Sequence, residues 1–471
     1  MNKINQTILM LIVLAISACT ISKDIETPKP ALPANFRNAA VTTDTNSIAD
    51  MPWKSFFTDV VLQKLIDSAV VKNYDMQIAV KNIEASQLLF KQVKWNNVPE
   101  VALNVTANTQ RPSDNSLTGL SLSQYGIGSR HIEDYSANVS LSWEADIWGK
   151  IHNQQRVALA AYLQTAEAKK AIQTNLVSTV AQGYYNLLML DAQLNIAKAN
   201  VRLNDSTLRI VNLQYDAGQV TLLAVQQTRA QQQAAAELIP QFEQNIAIQE
   251  NALRILTGEL PGEILRSSTL DQITFPRDLS AGVPSALVSR RPDVKSYELA
   301  LITANANVGI NKAALYPALR ITASGGINSF MANNWFNIPA SLFGIVGGSI
   351  GQPLFQHKQL KTAYQVSEVE REKTVLQFRQ SVLNAVGEVS GALVQLEKLK
   401  AQQTLIANRV STLQQATKNA NLLFKNGMAN YLEVITAQSN VLQSELELAS
   451  VKRNELNAVS ELYQSLGGGW K

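Results

Sequence analysis

The residue best placed to carry chemistry is the single cysteine, Cys19. It follows a segment, 1–18, with a lysine near its start and a short apolar core. That core is too short to cross a bilayer as a helix, and the pattern is typical of a secretory signal peptide. The run Ile16-Ser17-Ala18-Cys19 matches a lipobox, in which the cysteine receives a lipid. We therefore predict a lipoprotein signal peptide over 1–18 and lipid attachment at Cys19, in preference to a plain cleavable signal with a chance cysteine.

Other residue types that carry chemistry are scarce. The three histidines, His131, His152 and His357, are scattered without metal-ligand spacing, and a single cysteine allows no internal disulfide. The serines lack a nucleophile elbow. We expect no catalysis, no metal and no cofactor. Lysine and arginine number 41 against 37 acidic residues, a net charge of +4, which is too balanced to indicate a nucleic-acid partner.

An internal repeat organises the rest of the chain. Pro99 aligns with Pro317 and Gly218 aligns with Gly427, and the residues around each pair align at the same two offsets. Residues 20–50 contain three prolines and no apolar period, which predicts an extended tether. The predicted organisation is a signal peptide at 1–18, a tether at 19–50, a first repeat at 51–260, a connecting segment at 261–283 and a second repeat at 284–471.

Each repeat predicts the same series of elements. A helix, at about 54–96 or 288–315, is followed by a β-hairpin, whose first copy alternates strictly between apolar and polar residues at 101–106 and 137–143. Polar loops are predicted at 108–133 and 325–340. Two stretches without proline, 150–217 and 361–426, then predict helices far longer than usual. Their ends are predicted at the glycine caps Gly218 and Gly427, before helices return over about 220–257 and 429–466.

The alternating strands fit either a half-buried soluble sandwich or a membrane sheet with one lipid-facing side. If the strands cross a membrane, the four strands of one chain are too few to close into a barrel. An open sheet would leave the backbone groups at its two edges unpaired in lipid. Closure would therefore require several chains.

Several motifs together carry a resemblance to a known family. These are Trp53-Lys54-Ser55-Phe56-Phe57, Leu141 to Lys150, Ser289-Arg290-Arg291-Pro292-Asp293-Val294, Ala304 to Gly326, Gly351-Gln352-Pro353-Leu354-Phe355 and Asn426 to Gln438. Over nearly its full mature length the chain resembles the TolC-type outer-membrane efflux proteins, in their lipoprotein branch.

The resemblance implies a fold that is mainly α with a small β part. Three chains would supply a 12-stranded membrane β-barrel and a periplasmic α-barrel of long helices. The implied function is a passive outer-membrane duct of a tripartite efflux system, lipid-anchored in the outer membrane and extending into the periplasm. The implied partners are two further copies, a periplasmic adaptor (membrane fusion) protein, an inner-membrane pump and outer-membrane lipid.

The resemblance also implies site residues near the ends of the helical hairpins. Leu432 matches a hydrophobic constriction of a periplasmic gate, and Glu433 and Thr436 match two positions where family members place aspartates. Because this chain has threonine at the second position, we expect at most one acidic ring, at Glu433; an ordinary solvated helix residue is the alternative. The hairpin tips, expected to contact the adaptor, are Tyr215, Gly218, Phe424 and Gly427, with packing of the turn as the alternative for Tyr215 and Phe424.

Three other functions compete with the efflux duct. A duct for type I protein secretion would share the same architecture. A periplasmic adaptor lipoprotein should carry one helical hairpin between small β-domains, and a structural coiled-coil lipoprotein should keep a strict heptad without alternating strands. The duplicated hairpin and the strands argue against the last two.

Overall fold

A computed structural model of the chain describes residues 32–33, 35–37, 47–124, 131–275 and 280–471. The described part is mainly α-helical with one four-stranded sheet, which confirms the predicted fold class. The ten α-helices of the described part are α1 (Trp53–Phe56), α2 (Val60–Lys72), α3 (Tyr74–Lys94), α4 (Leu117–Gln124), α5 (Lys150–Asp216), α6 (Leu222–Leu256), α7 (Leu287–Arg290), α8 (Pro292–Ala313), α9 (Gln359–Lys425) and α10 (Tyr431–Ser465). The strands are β1 (Glu100–Gln110), β2 (Ile132–Ala145), β3 (Ala318–Ser329) and β4 (Leu342–Gly351).

The chain divides into two compact units, and each unit combines segments of both predicted repeats. The sheet unit contains Ala85–Tyr162 and Leu299–Val375 among the described residues. The helical unit contains Leu163–Glu298 and Leu376–Lys471 together with the described residues of Pro28–Glu84.

The sheet is antiparallel throughout, in the order β1-β2-β3-β4. Two details differ from the sequence prediction. The first loop contains the short helix α4, and the second hairpin loop begins only after Ser329, so that Gly326 lies inside β3. A Cβ atom at Gly326 would stand 2.1 Å from the carbonyl oxygen of Ala137 on β2. Glycine is therefore needed here for the close approach of two strands, and its presence does not mark a loop.

The first predicted helix, 54–96, is divided into three. Asp59 caps α2 by accepting a hydrogen bond from the amide of Leu62 at 2.8 Å. Asn73 interrupts the helix again, because its side-chain oxygen accepts from the amides of Asp75 and Met76 at 2.9 and 3.2 Å. Short polar side chains compete with the backbone for these amides, and they end one helix while starting the next.

The helical unit has an aromatic core. Phe56 stacks on Tyr463 with ring centroids 4.1 Å apart, and Phe275 packs against Phe56 at 5.3 Å. Tyr184 and Tyr185 on α5 are fully buried in the same cluster, so they serve packing. Burial raises the pKa of both tyrosines far above the usual value, which keeps them neutral.

The long helices follow the prediction closely, and α5 and α9 each run for 67 residues. In the described ranges, no helix is long and apolar enough to span a membrane.

Candidate functional site

The sheet has one apolar and one polar face. Cross-strand neighbours share a face, as in the row Leu103, Val139, Gly325, Gly344. The apolar face carries Val101, Leu103, Val105, Val139, Leu141, Ile321, Ile327, Leu342, Val346 and Ile350. The other face carries Asn104, Thr106, Ser136, Asn138, Ser140, Ser142, Thr322, Ser324 and Asn328. Two apolar residues of β4, Phe343 and Ile345, lie on the polar side, which explains the weaker alternation in the second hairpin.

Polar side chains bond to one another along that second face. The side-chain nitrogen of Asn104 donates to Asn138 Oδ1 at 3.3 Å and to Ser140 Oγ at 3.0 Å. The two outer strands, β1 and β4, each lack a strand partner on one side within the described residues. Their outer backbone groups are therefore available to pair with another chain.

Tryptophans fix the chain where the strands end. Trp143 donates its indole hydrogen to the carbonyl of Asn97 at 2.9 Å, and Trp148 donates to the carbonyl of Pro317 at 2.7 Å. Trp148 also packs on Tyr316, with ring centroids 5.0 Å apart. These contacts hold the strand ends in fixed positions relative to the neighbouring turns.

The two helical hairpins turn at the predicted glycines. Gly218 and Gly427 have φ of +69° and +71°, the left-handed conformation that glycine adopts without strain. Each turn closes a Schellman motif. In the second, the amide of Met428 donates to the carbonyl of Leu423 at 2.8 Å, and the amide of Gly427 donates to that of Phe424 at 3.1 Å.

A small apolar core, which we call the tip cluster, holds the two turns together. Its buried members are Val211, Ala224, Val225, Phe424 and Val434. Phe424 is only 4% exposed, whereas the equivalent Tyr215 of the first hairpin is 42% exposed. The two tips therefore differ, since Phe424 packs inside the turn and Tyr215 faces outward.

The three predicted gate residues share one exposed side of α10. Leu432, Glu433 and Thr436 are all exposed, while Val434 between them is fully buried in the tip cluster. Asn430 starts this helix by accepting from the amides of Leu432 and Glu433 at 2.9 and 3.1 Å. The cap fixes the first turn, so the side-chain directions of the three residues are set by the helix.

Several polar contacts between the hairpins escaped the sequence prediction. At the tips, the Tyr431 hydroxyl donates to Gln227 Oε1 at 2.7 Å. Deeper along α5, buried Gln438 donates through its side-chain amide to the hydroxyl of Thr207 at 2.9 Å, and Asn200 donates to the backbone carbonyl of Gln438 at 3.3 Å. Gln438 Oε1 stays buried without a partner. The only sequence signal was polar residues at helical spacing on one face of α5.

The connecting segment is pinned by one arginine. Arg266 makes a bidentate ion pair with Asp191 of α5, with N–O distances of 2.7 and 2.8 Å, and also pairs with Glu250 of α6. The hydrogen bonds that Arg266 donates to Asp191 raise the pKa of Arg266 above its usual value despite its burial. The arrangement ties the segment to both helices of the first hairpin.

Other polar groups form structural pairs. Arg291, next to the start of α8, bonds to Asp293, to Glu388 and to the carbonyl of Ser465. In the ranges that the structure describes, no group of His, Cys, Asp and Glu side chains could hold a metal ion. The predicted lipid site, Cys19, lies outside the described residues.

Comparison with known proteins adds a family match, two similar sequences and one similar structure. The family model described as "Outer membrane efflux protein" matches residues 65–259 and 283–468. The toluene efflux pump outer membrane protein TtgF of Pseudomonas putida is 29% identical over 97% of this chain and 95% of its own length. The cation efflux system protein CusC of Escherichia coli is 27% identical over 98% of both chains. The crystal structure of the open state of the MtrE outer membrane channel of Neisseria gonorrhoeae superposes with a TM-score of 0.85, at 25% identity, covering 96% of this chain and 99% of that one.

Proposed function

The chain belongs to the outer membrane efflux protein family, and we propose that three copies of it form a passive duct that accepts cargo from an inner-membrane pump. Family membership places the chain in the outer membrane as an efflux channel and confirms the resemblance seen in its motifs. The trimer, the adaptor, the gate and the lipid anchor are our proposals for this chain.

The observation that carries the proposal is the open sheet. It has one apolar face, and its two edges, β1 and β4, have no strand partner within the described residues. In lipid, backbone groups at an open edge would have no hydrogen-bond partner, which costs several kcal/mol per group. Three copies of four strands give a closed barrel of twelve, with the apolar face toward lipid.

The helical hairpins are assigned to the periplasm. We propose that the long helices α5 and α9 with their return helices form the wall of a tunnel and that the tips meet an adaptor protein. The exposed Tyr215 and the turn glycines Gly218 and Gly427 are the proposed contact. Since Phe424 is buried in the tip cluster, we assign it to packing of the turn.

The gate is assigned to the first turn of α10. Leu432 would narrow the tunnel, and three copies of Glu433 would place a ring of carboxylates there, which favours cations over anions. Thr436 supplies no second charged ring. Tyr431 with Gln227 would hold the closed state, because their hydrogen bond joins the second hairpin to the first.

Two further parts complete the proposal. Lipid on Cys19 would anchor each copy to the membrane through its acyl chains. We assign cargo selection to the inner-membrane pump, since relatives of the same family are named for cations and for toluene. The duct itself performs no catalysis. Secretion of a protein through the same architecture is the second candidate.

The duct is tested by single-channel recording of the purified protein in a planar bilayer. We expect a trimer in detergent and discrete conductance steps. A stable monomer, or no conductance under any opening condition, would overturn the proposal.

The acidic ring is tested by Glu433→Gln. We expect lower selectivity for cations over anions, because the ring loses its charge. Glu237→Gln is the matched control, since Glu237 is an exposed carboxylate on α6, away from the first turn of α10. Unchanged selectivity in an intact Glu433→Gln trimer would remove Glu433 from the gate.

A further inference from the structure

Four large apolar side chains are exposed where the strands of the sheet unit begin and end. Trp95 and Val98, just before β1, are 69% and 48% exposed. Leu354 and Phe355, just after β4, are 94% and 80% exposed. We call the first two the entry pair and the last two the exit pair. Exposed apolar side chains of this size, concentrated at two places, mark surfaces that another molecule covers.

The entry pair is held by its own chain. Trp95 opens a short 3-10 turn, and the amide of Val98 donates to the carbonyl of Trp95 at 2.8 Å. The indole of Trp143 fixes the same turn by donating to the carbonyl of Asn97. The backbone that carries the two side chains is therefore fixed before any partner arrives, which lowers the entropy cost of binding.

The exit pair follows a similarly fixed residue. The side-chain amide of Gln352 donates to the carbonyl of Leu315 at 2.9 Å, directly after β4 ends at Gly351. Leu354 and Phe355 come two and three residues later. Both pairs thus extend from anchored strand ends.

Strand polarity brings the two pairs to the same end of the sheet. Every neighbouring pair of strands is antiparallel, so the first residue of β1, Glu100, and the last residue of β4, Gly351, lie at the same end. Within one chain the two outer strands are separated by three strand spacings, about 14 Å. The entry and exit pairs of one copy therefore lie on opposite edges.

The pattern of side chains also selects a register between copies. If β4 of one copy pairs with β1 of the next, the apolar faces match only when Val101 stands opposite an apolar-face residue of β4. Full overlap of the two strands, with Glu100 opposite Gly351, meets this condition. It places Val101 opposite Ile350 and Val105 opposite Val346, which all belong to the apolar face.

We propose that the exit pair of each copy packs on the entry pair of the next and forms an apolar clasp between neighbouring copies. In the register of full overlap, Val98 comes beside Pro353, so the clasp continues directly from the paired strands. The occupant of both surfaces is a second copy of this chain, because the two pairs lie at the same end but on opposite edges. The clasp rests on the trimer proposed as the function.

The direct test is a disulfide between copies. The double variant Val98→Cys with Leu354→Cys is expected to give covalent dimers and trimers on a non-reducing gel, which revert to monomers on reduction. A bond within one chain is excluded, because about 14 Å exceeds the reach of a disulfide. Val98→Cys with Leu342→Cys is the matched control, since Leu342 lies at the opposite end of β4, and it should not cross-link.

A charge exchange gives an independent measurement. Phe355→Asp and Trp95→Lys are each expected to lower the temperature at which the trimer dissociates in detergent. Combined in one chain, they are expected to recover much of that loss, because the new opposite charges meet between copies.

The outcomes separate the clasp from the duct. The clasp is overturned, and the duct left intact, if the trimer conducts but forms no Val98–Leu354 cross-link and the two new charges do not compensate. The entry and exit pairs would then face lipid. Cross-linking that is equal in the control pair also overturns it. A monomer in detergent would overturn both proposals.

Discussion

Replacing Tyr431 by phenylalanine removes one hydrogen bond between the two helical hairpins and keeps the ring. The hydroxyl donates to Gln227 at 2.7 Å, while the ring packs against the tip cluster. Because the cluster is retained in Tyr431→Phe, the fold should be unaffected. If the bond holds the gate closed, the variant should open more often than the parent protein.

The expected change in the ratio of open to closed channels follows from the exposure of the hydrogen bond between Tyr431 and Gln227. This bond lies at an exposed position, so a neutral hydrogen bond there contributes ~0.5–1 kcal/mol. If three copies open together, the closed state loses ~1.5–3 kcal/mol. Since 1.4 kcal/mol corresponds to a factor of ten, the ratio of open to closed channels should rise roughly 10- to 150-fold.

The assay is the open probability of single channels in a planar bilayer. Tyr215→Phe is the control, because Tyr215 is an exposed tyrosine at the other tip and removing its hydroxyl leaves the bond between Tyr431 and Gln227 intact. Gln227→Ala should reproduce the effect of Tyr431→Phe, and the double variant should add little, since both remove the same bond. An intact trimer of Tyr431→Phe with the open probability of the parent would refute this reasoning.

Three further variants test other parts of the structure. Arg266→Met should lower the free energy of unfolding in urea by about 3 kcal/mol, because two partly buried carboxylates lose their partner; Arg209→Met, at an exposed site, should change it little. Gly326→Ala should abolish trimers on native gels, since its Cβ meets a backbone oxygen, while Gly348→Ala has open space and should assemble normally. Burial opposes the charge on Asp293, but its arginine partner outweighs burial and holds the pKa of Asp293 below the usual value. The stability from that pair is present above the ordinary pKa and is lost as the pH falls below about 4. Asp293→Asn should therefore flatten the acid end of the stability curve, and an unchanged curve would contradict the assignment.

Much of the fold was predictable from local patterns. The long helices α5 and α9 start and end within three residues of their predicted limits, because each stretch lacks proline and ends at a glycine. The strands were visible from alternation, and the two tips from Gly218 and Gly427. These signals are local in the chain, and backbone geometry converts them directly into elements.

The gate region was only partly predictable. The resemblance points to Leu432 and Glu433, but the partner of Tyr431 lies 204 residues away in the sequence. The sequence also did not predict that Phe424 is buried while Tyr215 is exposed, because the two positions are equivalent in the repeat. The burial of each of these two side chains depends on which residues of the other hairpin lie next to it.

By itself the sequence determined the duplicated architecture, the element types and the family, because these depend on composition, period and motifs along one chain. Only the tertiary structure decided which residues meet. It placed Gly326 inside a strand, bound Arg266 to both helices of the first hairpin and left the edges of the sheet open with apolar residues beside them. The physical reason is that contacts, burial and strand register depend on pairs distant in sequence, and no local pattern encodes the partner.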